Sequence, residues 1–394
     1  MFAVNRAVLR PRAARLAAEL GHGARMGHSG DGAGLDRCRW PGDGGPPALS
    51  HRTNSEESTT VNSATRERLF GYDHAFDHPV TRVIVVAVVV VLVIVPAVIF
   101  ALSIMGRIGD VQRAELKKRY ISWLVLIPLM VGPVLLGAAW TIGAVAVLSL
   151  LCYREYARAT GLFREKTISL VVVVGILAIT FAVADNWYHF FVAVSPLTVG
   201  GMAAIAILAD EPKGYIQRVG LGVLGFMLFG SGLGHLGGLA NDANFRPLVL
   251  LLLLAVELND VFAYIAGKSV GRRKLAPNTS PNKTIGGALG ALVLTTILVA
   301  AGSHFVFRDT VLDRPSHLAT LGVLVSVLGQ LGDLMLSSVK RDLGIKDLGV
   351  TIPGHGGLLD RFDSLILVAP GVFHYVNYFL GVGLDEPTRI ITGT

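Results

Sequence analysis

Long apolar stretches alternate with short polar stretches along most of this chain. The apolar stretches fall near residues 80–105, 121–137, 138–153, 168–184, 187–209, 216–239, 247–266, 285–306, 317–339 and 364–382. Most of them approach or exceed the roughly 20 apolar residues that a helix needs to cross a bilayer. The pattern predicts an all-α, polytopic helical membrane protein with about nine or ten transmembrane helices.

The second and third stretches adjoin, so hydropathy alone leaves open whether they form one helix or two. A single helix would contain Pro128, Pro133 and Gly137, which disfavour a continuous helix. Basic residues crowd the loops 106–120 and 154–166, and such loops usually face the cytoplasm. Both loops then lie on one side of the membrane, which requires an even number of crossings between them. We therefore expect two helices.

The same parity assigns the remaining loops. It places residues 267–284 and 340–363 in the cytoplasm and the N-terminal part of the chain outside. The first of these loops carries five basic residues, Lys268, Arg272, Arg273, Lys274 and Lys283, in agreement with that side. We expect a multi-pass protein with its charged loops at the cytoplasmic surface.

Composition divides the chain into three parts. It is 52% hydrophobic and 16% charged, which excludes an ordinary soluble domain, and its net charge of +7 is spread over loops, which favours membrane orientation over nucleic-acid binding. Residues 1–79 are rich in Gly, Pro and charge, and we expect a disordered N-terminal tail. Residues 80–383 then form the transmembrane domain and residues 384–394 a short C-terminal tail.

Charged residues inside the apolar stretches are the first candidates for chemistry. Glu257, Asp260, Tyr264 and Lys268 follow one another at steps of three and four residues, which places them on one helix face. A carboxylate in a membrane span is costly and is therefore a functional candidate. A structural ion pair, such as Asp260 with Lys268, is the alternative.

The loop that follows combines hydroxyl groups, cations and glycines just before a helix. It contains Ser280, Lys283 and Thr284, followed by Gly286 and Gly287. Backbone amides, hydroxyls and a lysine at a helix N-terminus can hold an anion. A basic loop beside a membrane can also serve only to orient the protein or to bind anionic lipids.

The ninth stretch carries a second polar face that begins at membrane depth. Asp333, Ser337 and Lys340 form this face at helical spacing, and Arg341 follows. Cations beside a glycine-rich turn suit phosphates, and spaced aspartates suit hard metal ions.

Beyond this face, charged residues and glycines crowd the loop that leads into the tenth stretch. The loop contains Lys346, Asp347, His355, Gly356, Gly357, Asp360, Arg361 and Asp363. Capping of the last helix by Asp360 is the structural alternative to metal binding.

Residues 337–363 resemble the signature of the phosphatidate cytidylyltransferases, also called CDP-diacylglycerol synthases. The similar positions are Ser337, Lys340, Arg341, Lys346, Asp347, Gly349, Pro353, His355, Gly356, Gly357, Asp360, Arg361 and Asp363. A second similar motif runs through Asp260, Ala263, Tyr264, Gly267 and Gly271 to Ser280, Pro281, Lys283 and Thr284. The resemblance covers roughly residues 106–383.

The resemblance implies transfer of CMP from CTP to phosphatidic acid by a bacterial plasma-membrane enzyme with its active site on the cytoplasmic side. It implies Mg²⁺, with room for a second cation, and Asp333 and Asp360 as metal ligands. Catalytic roles are expected for Lys340, Arg341, Asp347, His355, Arg361 and Asp363. Substrate binding is expected for Asp260, Tyr264, Ser280, Lys283, Thr284, Ser337, Lys346, Gly356 and Gly357. The partners are CTP, phosphatidic acid and the bilayer, without nucleic acid, and a homodimer is left open.

Two positions depart from the family pattern. Gly286 stands where the family commonly has Glu, and Asn282 where it has a second Lys. Glu257 is a candidate to replace the missing acid. The departure leaves open an enzyme that uses CTP on another lipid phosphate, an isoprenoid or an ether lipid. An ion-coupled transporter that uses Asp260 and Asp333 is a third alternative, although the charges cluster at one face without paired broken helices.

Overall fold

The computed structural model describes residues 63–349, 351, 356–381 and 389–393. Its helices are α1 (Ser63–Phe70), α2 (Pro79–Ile104), α3 (Asp110–Leu136), α4 (Ala138–Thr160), α5 (Lys166–Ala184), α6 (Tyr188–Ile207), α7 (Tyr215–Gly225), α8 (Leu233–Leu239), α9 (Phe245–Val270), α10 (Ile285–Val306), α11 (Pro315–Asp342), α12 (Leu359–Phe362) and α13 (Leu365–Leu380). Nine helical stretches of this described part are long and apolar enough to cross a membrane. The predicted helical membrane architecture is confirmed.

The tenth apolar stretch forms the shorter helix α13, which has 16 residues and a buried face. The sixth crossing, Tyr215–Leu239, joins α7 and α8 through the π-helical turns Phe226–Gly232. Glycines let neighbouring side chains approach closely there, since a Cβ at Gly238 would lie 2.8 Å from the ring of Phe373.

Helices α3 and α4 are separate, as the proline and glycine positions predict. The break is Gly137, whose φ of 135° is strained for any residue with a side chain. A Cβ at this position would also collide with the backbone of Leu69. The turn therefore depends on glycine in two ways.

The buried and peripheral spans differ clearly. Of the 18 most apolar consecutive residues in the sixth crossing, 67% are buried inside the protein, whereas in α2 only 6% are buried. The sixth crossing is thus central, and α2 is a peripheral helix. The hydroxyl of Tyr120 on α3 donates to the carbonyl of Leu92 on α2 at 3.0 Å and links the two.

Residues 63–78 correct the expected extent of the disordered tail. They include α1, whose Leu69 is buried, and Arg68 donates to the carbonyl of Asn241 at 2.7 Å. Arg246 donates back to the carbonyl of Gly71 at 2.6 Å. The boundary expected at residue 79 therefore lies too far along the chain, and the rest of the proposed tail lies outside the described residues.

The C-terminal residues also attach to the helices. Asp185, which follows α5 and is fully buried, accepts hydrogen bonds from the amides of Ile391 and Thr392 at 2.6 and 2.9 Å and from the hydroxyl of Thr392 at 2.7 Å. Burial alone would raise the pKa of Asp185, but these hydrogen bonds outweigh it and lower the pKa. Arg389 lies over the ring of Trp187 at 4.2 Å and completes the attachment.

Contacts between loops show which loops lie together at each end of the bundle. At one end Arg341 donates to the carbonyl of Thr279, which joins the loop after α9 to the end of α11. At the other end α1 contacts the loop before α9, and His78 contacts the carbonyl of Phe305 at the end of α10. Each end collects loops of one parity, as successive crossings require.

The loop between α9 and α10 contains a feature absent from the sequence prediction. Strands β1 (Lys274–Ala276) and β2 (Ser280–Thr284) pair as an antiparallel hairpin. The hairpin ends at Thr284, whose hydroxyl accepts from the amide of Gly287 at 3.1 Å and caps α10. This cap brings Lys283 to the start of α10 beside α11.

Candidate active site

Two lysine–aspartate pairs join separate elements at one end of the bundle. Lys283 of β2 contacts Asp333 of α11, and Lys340 of α11 contacts Asp360 of α12 at 3.0 Å. The side chains of the second pair are only 11% and 5% exposed. Charges so well buried need partners, because an unpaired buried charge costs several kcal/mol. These pairs hold the hairpin and the last loop against α11.

Carboxylates from α9, from α11 and from the junction between α12 and α13 converge around Asp333. The carboxyl groups of Asp333 and Asp363 lie within hydrogen-bonding contact, and Ser337 donates to Asp333 at 3.3 Å. Asp260 of α9 interacts electrostatically with Asp333 and with Lys283. Asp363 is buried, whereas Asp260 is exposed. The cluster therefore has a covered side and an open side.

The donor chemistry of this cluster fits a hard divalent cation. Asp260, Asp333 and Asp363 supply carboxylate oxygens, the ligands that Mg²⁺ prefers. In the described residues no three His, Cys, Asp or Glu side chains are already arranged as a metal centre. The same carboxylates face lysines, so a metal ion and the lysine side chains would share the same carboxylate oxygens.

Asp360 holds the loop before α12. One carboxylate oxygen faces Lys340, and the other accepts from the amides of Leu348 and Gly357 at 3.2 and 3.0 Å. Both oxygens are thus engaged within the protein. The metal role expected for Asp360 stays a prediction, and the structure assigns it a loop-binding role besides.

Glu155 of α4 holds the same loop from the opposite side, and the sequence prediction missed it. Its carboxylate accepts from the amides of Leu358 and Leu359 at 3.0 and 2.8 Å and from the hydroxyl of Thr351. It is only 7% exposed. The one signal in the sequence was an acid just after the third apolar stretch, but only the tertiary structure brings the loop to it.

Two glycines make the approach of Glu155 possible. A Cβ on Gly349 or on Gly357 would lie 2.6 Å from a carboxylate oxygen of Glu155. The glycine content of the signature therefore has a steric reason, since the loop backbone passes directly over a buried carboxylate. Gly356 has a φ of 83°, which also favours glycine.

Several other predicted residues lie at the surface of the same region. Arg341 is exposed and donates to the carbonyls of Thr279 and Ile345 at 3.3 and 3.1 Å. Lys346 and Asp347 are exposed. Their side chains remain accessible for a ligand that approaches from water.

The remaining predicted residues that the structure describes include one in the hairpin, one on α9 and one on α12. Ser280 begins β2 and is half-buried. Tyr264 is 62% exposed and carries Lys268 over its ring at 4.8 Å, so the alternative pairing of Lys268 with Asp260 gains no support. Arg361 interacts electrostatically with Asp260 and belongs to the cluster. His355 lies outside the described residues.

Glu257 does not occupy the place of the family's missing acid. A Cβ on Gly286 would contact the backbone of Val270 and Gly271 at 3.1–3.2 Å. Glu257 lies 13 residues before Val270 on the continuous helix α9. The two residues are therefore about 20 Å apart along the helix axis. Glu257 instead lies near Asp260 and Arg361. The geometry gives the substitution hypothesis no direct support, and the hypothesis stays a prediction.

A buried polar network fixes the helices beneath the cluster. Asn259 of α9 accepts from Thr295 of α10 at 2.9 Å and from Ser326 of α11 at 2.7 Å. Gln330 donates to the same Ser326 at 3.1 Å. Each hydrogen bond joins a different helix pair or helix turn, so α9, α10 and α11 present their charged residues at a defined relative position.

The fold and the site together define a multi-pass membrane protein that collects aspartates and lysines at one end of its helical bundle. The sequence profile of the Cytidylyltransferase family matches residues 117–379. This chain belongs to that family, and it is a nucleotidyltransferase enzyme. The transporter alternative is thereby set aside.

Individual relatives agree with the family. The chain is 32% identical over 302 residues to the protein named "Uncharacterized protein YnbB" of Escherichia coli (strain K12), with 72% of this chain and 97% of that protein covered. It is 30% identical over 250 residues to the phosphatidate cytidylyltransferase of Bacillus subtilis (strain 168), with 61% and 87% covered. It is 46% identical over 123 residues to the phosphatidate cytidylyltransferase of Staphylococcus aureus (strain COL), with 31% and 46% covered.

Proposed function

We propose that this protein transfers CMP from CTP to phosphatidic acid, with CDP-diacylglycerol and pyrophosphate as products. The observation that carries the proposal is the cluster of Asp260, Asp333 and Asp363 with Lys283 and Lys340 in a cytidylyltransferase. The relatives named phosphatidate cytidylyltransferase support phosphatidic acid as the acceptor.

The reaction requires charge neutralisation more than proton transfer. An anionic oxygen of the lipid phosphate attacks the α-phosphorus of CTP, and the bond from that phosphorus to the oxygen bridging it to the β-phosphorus breaks. The electron pair leaves with pyrophosphate, and no proton has to be removed from the nucleophile. The obstacle is the approach of two anions, which cations on the enzyme lower.

Lys283, Lys340, Arg341 and Arg361 are the cations that would bind phosphate oxygens. Lys283 and Lys340 are paired with Asp333 and Asp360 in the structure. Binding of substrate phosphates would offer each lysine a new anionic partner in place of its aspartate. Arg341 and Lys346, which are exposed, suit the triphosphate end of CTP.

Asp333, with Asp260 and Asp363, would hold Mg²⁺, and Asp360 remains a proposed ligand. Mg²⁺ held there would act as a Lewis acid that neutralises phosphate charge around the α-phosphorus. The protein residues keep the lipid phosphate and CTP side by side, and the buried side of the cluster at Asp363 excludes water from the charges.

The location of the site suits both substrates. The lipid tails require access from the bilayer, and CTP requires access from water. We place the site at the cytoplasmic surface of the plasma membrane, because the loops with the greatest basic charge collect at this end of the bundle. Residues Asp333 and Asp360 lie on consecutive helical elements that face the same loop.

The test is a transferase assay with the purified full chain, labelled CTP, Mg²⁺ and a panel of acceptors. The panel contains phosphatidic acid, lysophosphatidic acid, an ether-lipid phosphate and an isoprenoid phosphate. We expect label in the lipid product and release of pyrophosphate with phosphatidic acid. Transfer to a different acceptor with none to phosphatidic acid would refute the assignment, as would no transfer to any acceptor.

One observation favours an alternative, in which the natural acceptor is a lipid phosphate other than phosphatidic acid. The exposed Asn282 and the packed Gly286 remove a cation and an acid that the family pattern has near the nucleotide loop. Preferred transfer to the ether-lipid or isoprenoid phosphate in the same panel would establish this alternative.

A further inference from the structure

An apolar cavity of about 660 Å³ lies between α2, α3 and α9. Its wall on α2 extends from Ile84 to Leu102, which corresponds to about 27 Å along the helix. That length nearly equals the hydrocarbon thickness of a bilayer, about 30 Å. The cavity is therefore long enough for an extended hydrocarbon chain.

The peripheral helix α2 builds one whole side of this cavity. It ends at Ile104, before residue 117, where the match to the family profile begins. Its inward residues include Val88, Leu92 and Val95, which follow the helical period. The cavity thus depends on a helix that this chain has beyond the matched region.

The cavity shares a wall with the candidate active site. Glu257 lines the cavity, and the same carboxylate interacts electrostatically with Asp260 and Arg361 of the cluster. Among the described residues that line it, Glu257 and Arg119 are the charged ones. A second apolar cavity, of about 650 Å³ between α3, α4 and α9, has no charged residue among its described lining residues.

We propose that the cavity between α2, α3 and α9 binds one acyl chain of the lipid phosphate whose headgroup lies at the aspartate–lysine cluster. An acid in a membrane wall is costly when only hydrocarbon faces it. A lipid phosphate held by Lys283 and Arg361 beside Asp260 brings its polar glycerol region near Glu257, which bulk lipid tails do not. This proposal rests on the proposed function and adds the place of the tail and the role of α2.

A pair of substitutions on α2 tests the proposal. Val88 lines the cavity, whereas Val86 is 61% exposed and does not line it. In Val88→Trp we expect KM for a dioleoyl lipid phosphate to rise at least about tenfold, because the indole fills the tail site. KM for CTP and for a dihexanoyl acceptor should stay within about twofold. Val86→Trp should resemble the wild type with every substrate.

A second variant guards against misfolding of the first. Val91 also lines the cavity and is 56% exposed, so Val91→Trp disturbs less packing than Val88→Trp. It should show the same selective loss with long-chain acceptors. Equal kinetics for the cavity variants and Val86→Trp would overturn the proposal, and so would equal losses with long and short acceptors.

A labelling experiment separates failure of this inference from failure of the proposed function. The full-length wild-type protein is irradiated with a lipid phosphate that carries a diazirine in its tail, and the labelled peptides are identified. We expect label on α2 and α9, in excess over that from a neutral diacylglycerol with the same tail. Label at the second cavity, or equal label from both lipids, overturns the tail assignment even when the protein transfers CMP. Absence of transfer to every lipid phosphate instead refutes the proposed function.

Discussion

Lys340 and Asp360 illustrate how a buried charge can serve both structure and chemistry. Their side chains are 11% and 5% exposed and joined at 3.0 Å, and Asp360 also accepts two loop amides. Removal of one member of a buried pair leaves the other uncompensated, which costs about 3–5 kcal/mol. Activity and stability must therefore be measured together at this pair.

A double-mutant cycle separates the two contributions. We expect Lys340→Met to lower the free energy of unfolding by about 3 kcal/mol and to abolish transfer. Adding Asp360→Asn should recover much of the stability, because no unpaired charge remains, but none of the activity. Thermal unfolding in detergent and the transferase assay measure the two effects. Recovery of activity in the double variant would show that the pair has only a structural role.

Glu155 supports a second prediction at the residue scale. Glu155→Gln replaces one acceptor oxygen by an amide that faces the backbone N–H of either Leu358 or Leu359, because the two amides donate to different oxygens. We expect a loss of stability of about 2 kcal/mol and a fall in kcat/KM of at least about tenfold, because the loop that carries Gly357 and Asp360 loses its support.

Thr351→Val is the matched control for Glu155→Gln. It removes a single donor to the same carboxylate and leaves both amide hydrogen bonds. We expect a kinetic effect clearly smaller than that of Glu155→Gln. Wild-type kinetics in both variants, with stability lowered in Glu155→Gln, would restrict Glu155 to stability alone.

Helix α1 acts as an element-scale brace at the end of the bundle opposite the candidate site. Its residue Leu69 is buried, and the hydrogen bonds of Arg68 and Arg246 connect its region with the start of α9. The tail composition around it predicts disorder. Contacts to α4 and to the loop before α9 override that local tendency.

Two truncations test this brace. A chain that starts at residue 63 retains α1, whereas a chain that starts at residue 79 loses it together with its buried contacts. We expect the second chain to unfold at a temperature several degrees lower than the first, because a loss of about 1–2 kcal/mol shifts Tm by a few degrees. Equal melting temperatures would show that α1 contributes nothing to stability.

At the scale of the whole molecule, loop contacts agree with successive crossings of the membrane. Loops of one parity meet around Arg341 and Thr279, and loops of the other parity meet around Arg68 and Asn241. From the charge bias of the loops we proposed that the first group lies in the cytoplasm. This end also contains the aspartate–lysine cluster.

Cysteine labelling in intact cells tests the orientation. In a Cys38→Ser background Ser338→Cys, which is exposed at the site end, should resist a membrane-impermeant thiol reagent until the cells are lysed. Ala243→Cys, exposed at the opposite end, should react in intact cells. The native Cys152 is buried and serves as an internal negative control. The reverse labelling pattern would invert the proposed topology.

Hydropathy by itself determined the class of the protein and the places of its helices, because a span must satisfy its backbone inside hydrocarbon and so needs a long apolar helix. The spacing of Asp333, Ser337 and Lys340 also determined their common helix face, since helical geometry is local. The charge pattern and the resemblance together located the segments that supply the candidate site.

Only the tertiary structure decided which charges meet. Lys283 reaches Asp333 through a short hairpin, and Glu155 accepts from amides 203 and 204 residues further along the chain. The tertiary structure also showed that Glu257 and Gly286 lie far apart, although they are near each other in the sequence. Helix packing sets these distances, and packing depends on contacts between residues far apart in sequence, which local patterns of hydrophobic and charged residues do not encode.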